Sequence, residues 1–292
     1  MKLQFLLVPY DSGHREWRMG RGPAYLLRHG AASTIRALGH EVDAEYVEPT
    51  GFQGANPPTS TEIATSFSLY RELATRARAA HERSALPIIL SGNCGATLGA
   101  VAAACAPSTS DLGVVWLDAH GDFNTPDTST SGFLDGMVLA ALTGRGWRAM
   151  TASIPGFSPV QDANVVLVGA RALDPAEEVL LEESEVSVVR AGSVRGAGLR
   201  AALTPALEHL SERVTRVHVH VDVDVLDVSE ARANHFAVEG GLTIAELAET
   251  VAMVAERFRI ASVTFSAYDP AVDGDGGVVR AVAGCLEALV ER

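Results

Sequence analysis

Two short stretches carry the side chains best suited to chemistry. In the first, VVWLDAHGDFNTP, the apolar run Val114-Val115-Trp116-Leu117 breaks into Asp118, His120 and Asp122 at every second position, followed by Asn124. In the second, VHVHVDVDV over Val217–Val225, valine alternates with His218, His220, Asp222 and Asp224. A strand places residues two apart on one face. Each stretch, read as a strand, therefore gathers its carboxylates and imidazoles on a single side. Asp and His in such clusters suit a divalent ion of the Mn or Zn type. A lone Asp-x-His-x-Asp triple more often marks a strand ending in a polar turn. A second strand with one wholly ionisable face changes the balance, since a half-buried strand rarely needs two histidines and two carboxylates in succession. Two carboxylate-bearing strand ends point to a two-metal hydrolytic site.

The remaining pattern supplies elements to position them. Strands are expected over 2–9, 42–47, 86–90, 165–168, 186–189 and 260–265, besides the two above. Helices are expected over 24–38, 61–83, 96–105, 134–142, 175–183, 200–213, 244–258 and near 278–292. Pro23 could open the first helix and Gly39 end it. Residues 49–60, rich in Pro, Gly and Thr, read as a surface loop and not as a domain boundary. Strands alternating with helices predict an α/β fold: a single three-layer domain over 1–292, with a central parallel sheet of about eight strands flanked by helices. In such sheets ligands sit beyond the carboxyl ends of the strands, where the candidate residues lie.

Composition narrows the function. A hydrophobic fraction of 47% allows a large core. Acidic residues number 36 against 23 basic, a net charge of −13. This balance argues against nucleic-acid and anionic-membrane partners. The three cysteines, Cys94, Cys105 and Cys285, show no framework spacing and fit a reducing compartment. The apolar start is too short for a secretory core, and no run approaches membrane-span length. A cytoplasmic protein is expected.

The segments DAHGDFNTP and DVDVLD together resemble the ureohydrolase (arginase and agmatinase) superfamily, and the likeness covers most of the chain. The resemblance implies two Mn²⁺ ions per chain, with Asp118 and Asp222 bridging them. Asp122 would complete the first metal site; His120 and Asp224 would complete the second. A water acidified by both cations would attack a guanidine carbon. Asn124-Thr125-Pro126 through Gly132 keeps arginase spacing, which maps the hold on a substrate α-carboxylate onto Asn124, Ser129 and Ser131. Hydroxyls and an amide can donate several hydrogen bonds to such a group. The stretch GARALDPAEE likewise maps the α-ammonium partner onto Asp174, with Glu177 as a further candidate. Asp227 reads as structural and not as a ligand, and His218 and His220 as support for the sheet end.

Three departures from the family pattern bear on substrate. The motif Gly-Gly-Asp-His-Ser stands here as Ser91-Gly92-Asn93-Cys94-Gly95, which puts Cys94 at the place of a histidine ligand. Thiolate favours Zn over Mn, so the first site is expected to take a different ion or to be weakly filled. The proton-transfer histidine falls at Asp135. Its carboxyl would need its ordinary value of about 3.9 raised to serve as an acid near neutrality. The glutamate that pairs with the guanidinium falls at Ala267, with Asp269 nearby. The amino-acid end is thus retained and the guanidine end rebuilt, which favours Nω-hydroxy-L-arginine, cleaved to ornithine and hydroxyurea. Arginine or another guanidino or formimino compound is the alternative, as is a non-catalytic amino-acid-binding protein on the same scaffold. The expected partner is a small guanidino amino acid, and a homo-oligomer is compatible with the family.

Overall fold

A computed structural model describes residues 1–50, 62–105 and 111–291. Eight strands make one parallel sheet: β1 (Lys2–Val8), β2 (Glu41–Tyr46), β3 (Ala85–Ser91), β4 (Leu112–Leu117), β5 (Val165–Val168), β6 (Ser187–Val189), β7 (Arg216–Asp222) and β8 (Arg259–Ser266). Their order across the sheet is β2-β1-β3-β8-β7-β4-β5-β6. The expected α/β domain is therefore borne out. Parallel neighbours need crossover connections, and helices supply them. The helices named below are α1 (Glu62–Glu82), α2 (Ala96–Ala104), α3 (Val138–Leu142), α4 (Pro175–Glu182), α5 (Leu199–Ser211), α6 (Ile244–Arg257) and α7 (Gly277–Val290).

The two faces of the sheet bury separate apolar clusters. One takes Val115 and Leu117 of β4, Val217, Val219 and Val221 of β7 and Val263 and Phe265 of β8, under α5, α6 and α7. The other takes Val114 and Trp116 of β4 with Phe67 and Leu73 of α1, Val101 of α2 and Leu139 of α3. The period-2 alternation thus turns His218, His220 and Asp222 toward the side of α2. Buried there, they need polar partners. In the neighbouring strand Ser262, opposite His218, is bonded to its Nδ1 at 2.7 Å, whereas His220 is partnered by Thr97 and Asp222 by Cys94 and the Asp224 N–H.

Several boundaries differ from the sequence pattern. The alternation of 217–225 does not continue as strand: β7 stops at Asp222, and Val223–Val225 form a 3₁₀ turn. The Asp222 side chain accepts from the Asp224 backbone N–H and ends the strand there. Likewise β4 stops at Leu117, before the chemical residues begin. The helix expected over 24–38 breaks into Gly22–Leu26, a wider turn at Leu27–Ala31 and Ala32–Ala37. Gly30, at φ 151°, makes that break. The start of the helix expected over 134–142 is a 3₁₀ turn at Asp135–Met137. A hairpin of Tyr10–Asp11 with His14–Arg15 and a helix at Ala191–Ala197 have no counterpart in the sequence reading. Most of the loop expected over 49–60, the start of the helix at 61 and the final residue lie outside the described residues. No helix among the described residues is long and apolar enough to cross a membrane.

Candidate metal centre and substrate cavity

The loops leaving β3, β4 and β7 converge at the carboxyl edge of the sheet. The β3 loop brings Cys94, the β4 loop Asp118, His120 and Asp122, and the β7 turn Asp222 and Asp224. Cys94, His120, Asp122, Asp222 and Asp224 all line one cavity of about 360 Å³. The four aspartates are nearly inaccessible, from 0% exposure at Asp118 to 6% at Asp122. Glycine makes the approach feasible: a Cβ on Gly169, at φ +96°, would meet Val225 at 2.5 Å and the Asp118 carbonyl at 3.0 Å.

Each ligand-type side chain is aimed by a partner. The Asp118 carboxylate accepts from the Trp116 indole N–H at 3.0 Å and from the His120 backbone N–H at 2.7 Å. His120 Nδ1 stands 3.2 Å from Asp118 and 3.5 Å from Asp224. Asp224 also accepts from Asn234 at 3.2 Å. The Cys94 thiol donates to Asp222 at 3.0 Å. Asp122 is different. Its Oδ2 is buried without a hydrogen-bond partner, and its backbone holds φ at 49°, in the left-handed region that non-glycine residues avoid. Ala267 shares that trait at φ 64°.

Electrostatics follow from this crowding. Burial pushes Asp122 well above the usual carboxylate range, and Asp118 and Asp222 add to it. Burial, then Asp224, does the same to Asp222. Burial, then Asp222, raises the Cys94 thiol. Burial opposes charge on His120, but Asp224 and Asp118 outweigh it and raise the ring to about 9. Like charges this close cannot all ionise in a dry site. A pair of divalent cations would resolve the repulsion and give the orphaned Asp122 oxygen a partner. The donors, mostly carboxylate with one imidazole and one thiol, suit such ions. The residues present fit the group.

The substrate-side residues are also brought together. Asn124, Ser129, Ser131, Asp174 and Glu177 line the same cavity. Asn124 Nδ2 donates to Asp174 at 3.0 Å. The further candidate Glu177 is already engaged: its oxygens accept from the Phe123 N–H at 2.8 Å and the Asp174 N–H at 3.2 Å. It closes the start of α4 as a capping box does. With both oxygens engaged, it serves to fix the loop of Asp122 against that of Asp174. Asp135 accepts from Asn93 Nδ2 and, at 3.3 Å, from the Gly95 N–H, which ties it to the Cys94 loop. Burial raises Asp135 to about 7, although Asn93 and Gly95 pull the other way. Asp269 turns from the site and accepts from the Ala271 N–H at 3.0 Å. Asp269 is not among the residues that line the cavity and so does not replace the carboxylate absent at Ala267. Asp227 accepts from Ser229, Gly240 and Gly241, the structural role expected of it.

Other site residues carried no signal in the sequence. Met19, Phe133 and Phe236 also line the cavity, the two phenyl rings stacked at 5.6 Å. Arg171 spans six backbone carbonyls, those of Gly169, Asp224, Val225, Leu226, Val238 and Glu239. It clamps the segment that presents Asp224. Arg171 lies in the GARALDPAEE stretch, three residues before Asp174.

A sequence profile of the Arginase family matches residues 2–290. An arginase of Bacillus caldovelox is 31% identical over 273 residues, covering 91% of this chain and 90% of that protein. An arginase of Bacillus subtilis strain 168 is 30% identical, covering 98% of this chain and 96% of that protein. The crystal structure of a Bacillus cereus arginase superposes with a TM-score of 0.88 at 27% identity, covering 100% of this chain and 99% of that one. With its eight-stranded parallel sheet and this convergence of carboxylates, the chain belongs to the Arginase family, binuclear-metal hydrolases that act on C–N bonds of linear amidines.

Proposed function

We propose that the protein hydrolyses the guanidine C–N bond of an arginine-like α-amino acid, with L-arginine as the first substrate to test. One observation carries the reading: a single cavity is lined by Cys94, His120, Asp122, Asp222 and Asp224 on one side and by Asn124, Ser129, Ser131 and Asp174 on the other. Such a cavity can hold an amino acid by its head while its side-chain end meets the carboxylates. Agmatine, which has no carboxylate, would leave the Asn124–Ser131 donors unused.

Cys94, Asp118, His120, Asp122, Asp222 and Asp224 would together hold two ions, with Cys94 and Asp122 serving the first and His120 and Asp224 the second. Mn²⁺ is the favoured ion, with Cys94 drawing the first position toward Zn²⁺. When bound, the two cations would supply an acidified water and Lewis-acid polarisation. The chain's own residues do the rest. Asp122, with its unpartnered oxygen given to the first ion, would orient the attacking water through the other oxygen. Ser129, Ser131 and the Asn124 amide would donate to the α-carboxylate, while Asp174 would accept from the α-ammonium. Asp135, held near neutrality, would give a proton to the departing amine.

A second reading, Nω-hydroxy-L-arginine, has its own observation. At position 267 the cavity wall is a methyl, and Asp269 faces elsewhere. A guanidinium therefore meets no charge-assisted clamp there, and an N-hydroxylated guanidine is less basic. Parallel turnover of the two substrates by the metal-loaded protein, read as ornithine release, decides. Cleavage of either supports the amidinohydrolase reading, and the preference between them fixes the substrate. Release from neither, with metal bound, overturns it.

A further inference from the structure

A buried polar column runs beneath the site along β7, β8 and α2, and the proposed chemistry leaves it unused. His220 is fully buried and stacks on Trp116, ring centroids 3.6 Å apart at 19°. Its Nδ1 is bonded to the Thr97 hydroxyl at 2.7 Å. The other ring nitrogen points up toward Cys94 and Asp118, and the three side chains offer ligand atoms all within 4.8 Å of one another. Between Nε2 and the Cys94 sulfur stands the Ser266 hydroxyl, at 3.4 Å and 3.3 Å. The contact to His220 lies at the long end for a hydrogen bond, while that to the sulfur is of ordinary length. A serine rotation would free both donors.

We propose that His220 is a metal ligand, and that the first ion binds deeper than the carboxylate cluster alone would place it, on Cys94 Sγ, His220 Nε2 and Asp118. The inference rests on reading the cluster as a binuclear centre. An imidazole absent from position 94 is here supplied from position 220, two residues before Asp222 on the same strand face. A thiolate, an imidazole and a carboxylate form a donor set suited to Zn²⁺. The surroundings meet what such a site requires. Thr97 fixes the ring by its far nitrogen, and Trp116 both stacks on the ring and donates to Asp118 at 3.0 Å. Partners of this kind orient metal ligands and hold their tautomer. Asp122, one of whose oxygens is buried and unpartnered, lines the same cavity as Cys94 and would complete the shell.

The direct test is a crystal structure of the full chain soaked in Zn²⁺, with the ion located by anomalous scattering. The expected result is an ion about 2.3 Å from Cys94 Sγ and about 2.0–2.1 Å from His220 Nε2. An ion held by Asp118, Asp122 and Asp222, with His220 still facing Ser266, would overturn the proposal. In solution, His220→Asn should weaken the first Zn²⁺ by at least tenfold by calorimetry and leave the second unchanged. Unaltered affinity would count equally against it. Should that variant fail to fold, the wild-type crystal decides alone. The function stands separately. Zn²⁺ on Cys94 and His220 without guanidine cleavage would keep this inference and overturn the proposed activity. Arginine hydrolysis with His220 unliganded would do the reverse.

Discussion

Replacing Asp122 by asparagine should strengthen the metal-free fold and lessen the stability that metal adds. Asp122 is 6% exposed, with one oxygen lacking a partner and Asp118 and Asp222 as charged neighbours. Leaving a buried polar group unsatisfied costs about 1–3 kcal/mol. An amide would remove the like charge and could donate to the adjacent carboxylates. Asparagine also tolerates the left-handed backbone that Asp122 adopts. A gain of about 1–3 kcal/mol corresponds to roughly 2–6 °C, at about 2 °C per kcal/mol for a chain of this size. The sign with pH follows. A carboxyl raised by burial contributes stability below its unfolded value of about 3.9, and that contribution is lost as pH rises through the folded value. The advantage of the variant should therefore grow from pH 5 to pH 8. With Mn²⁺ present that advantage shrinks, since losing a ligand costs at least tenfold in affinity, or about 1.4 kcal/mol of the stability that metal adds. Thermal unfolding with and without Mn²⁺ checks both halves. A metal-free variant less stable than wild type, or an equal rise in melting temperature on adding Mn²⁺, would refute the reasoning.

Other outcomes follow from the same geometry. Arg171→Met strips six carbonyls of a charged donor. It should destabilise the protein by about 3–5 kcal/mol in urea titration, and a loss below about 1 kcal/mol would show that the clamp is dispensable. Asp135, raised to about 7 by burial, contributes stability below about pH 4 that is lost as pH rises toward neutrality. Asp135→Asn should flatten the metal-free stability profile in that window, by no more than about 1.4 kcal/mol per pH unit; an unchanged profile would deny the shift. Asn124→Ala should raise KM for the amino-acid substrate about tenfold or more with kcat nearly intact, as loss of uniform binding does. A fall in kcat alone would remove Asn124 from the carboxylate contact.

The alternation of valine with ionisable residues made β7 legible, because burial on one face and polarity on the other leave a period of two. The same pattern overreached by two residues. Asp224 reaches the site through a 3₁₀ turn, and Asp122 through a left-handed backbone, neither of which a parity argument contains. Both residues were found by type and spacing, for a reason that was partly wrong. Glu177 shows the complementary limit: its place near the cavity was legible, but its commitment to two backbone N–H groups depends on the tertiary approach of the Asp122 loop. The break at Gly30 was hidden because helical spacing resumes on either side of it. His220 read as sheet support because Thr97 and Trp116, its partners, lie 123 and 104 positions away along the chain.

The central claim is that ions held by these carboxylates drive guanidine hydrolysis. Its most direct test is ornithine release from L-arginine and Nω-hydroxy-L-arginine while metal-free protein is titrated with Mn²⁺ or Zn²⁺. The account predicts no release without metal and a rise that levels off at two equivalents per chain. Release that persists in the metal-free protein, or a plateau at one equivalent, would contradict it.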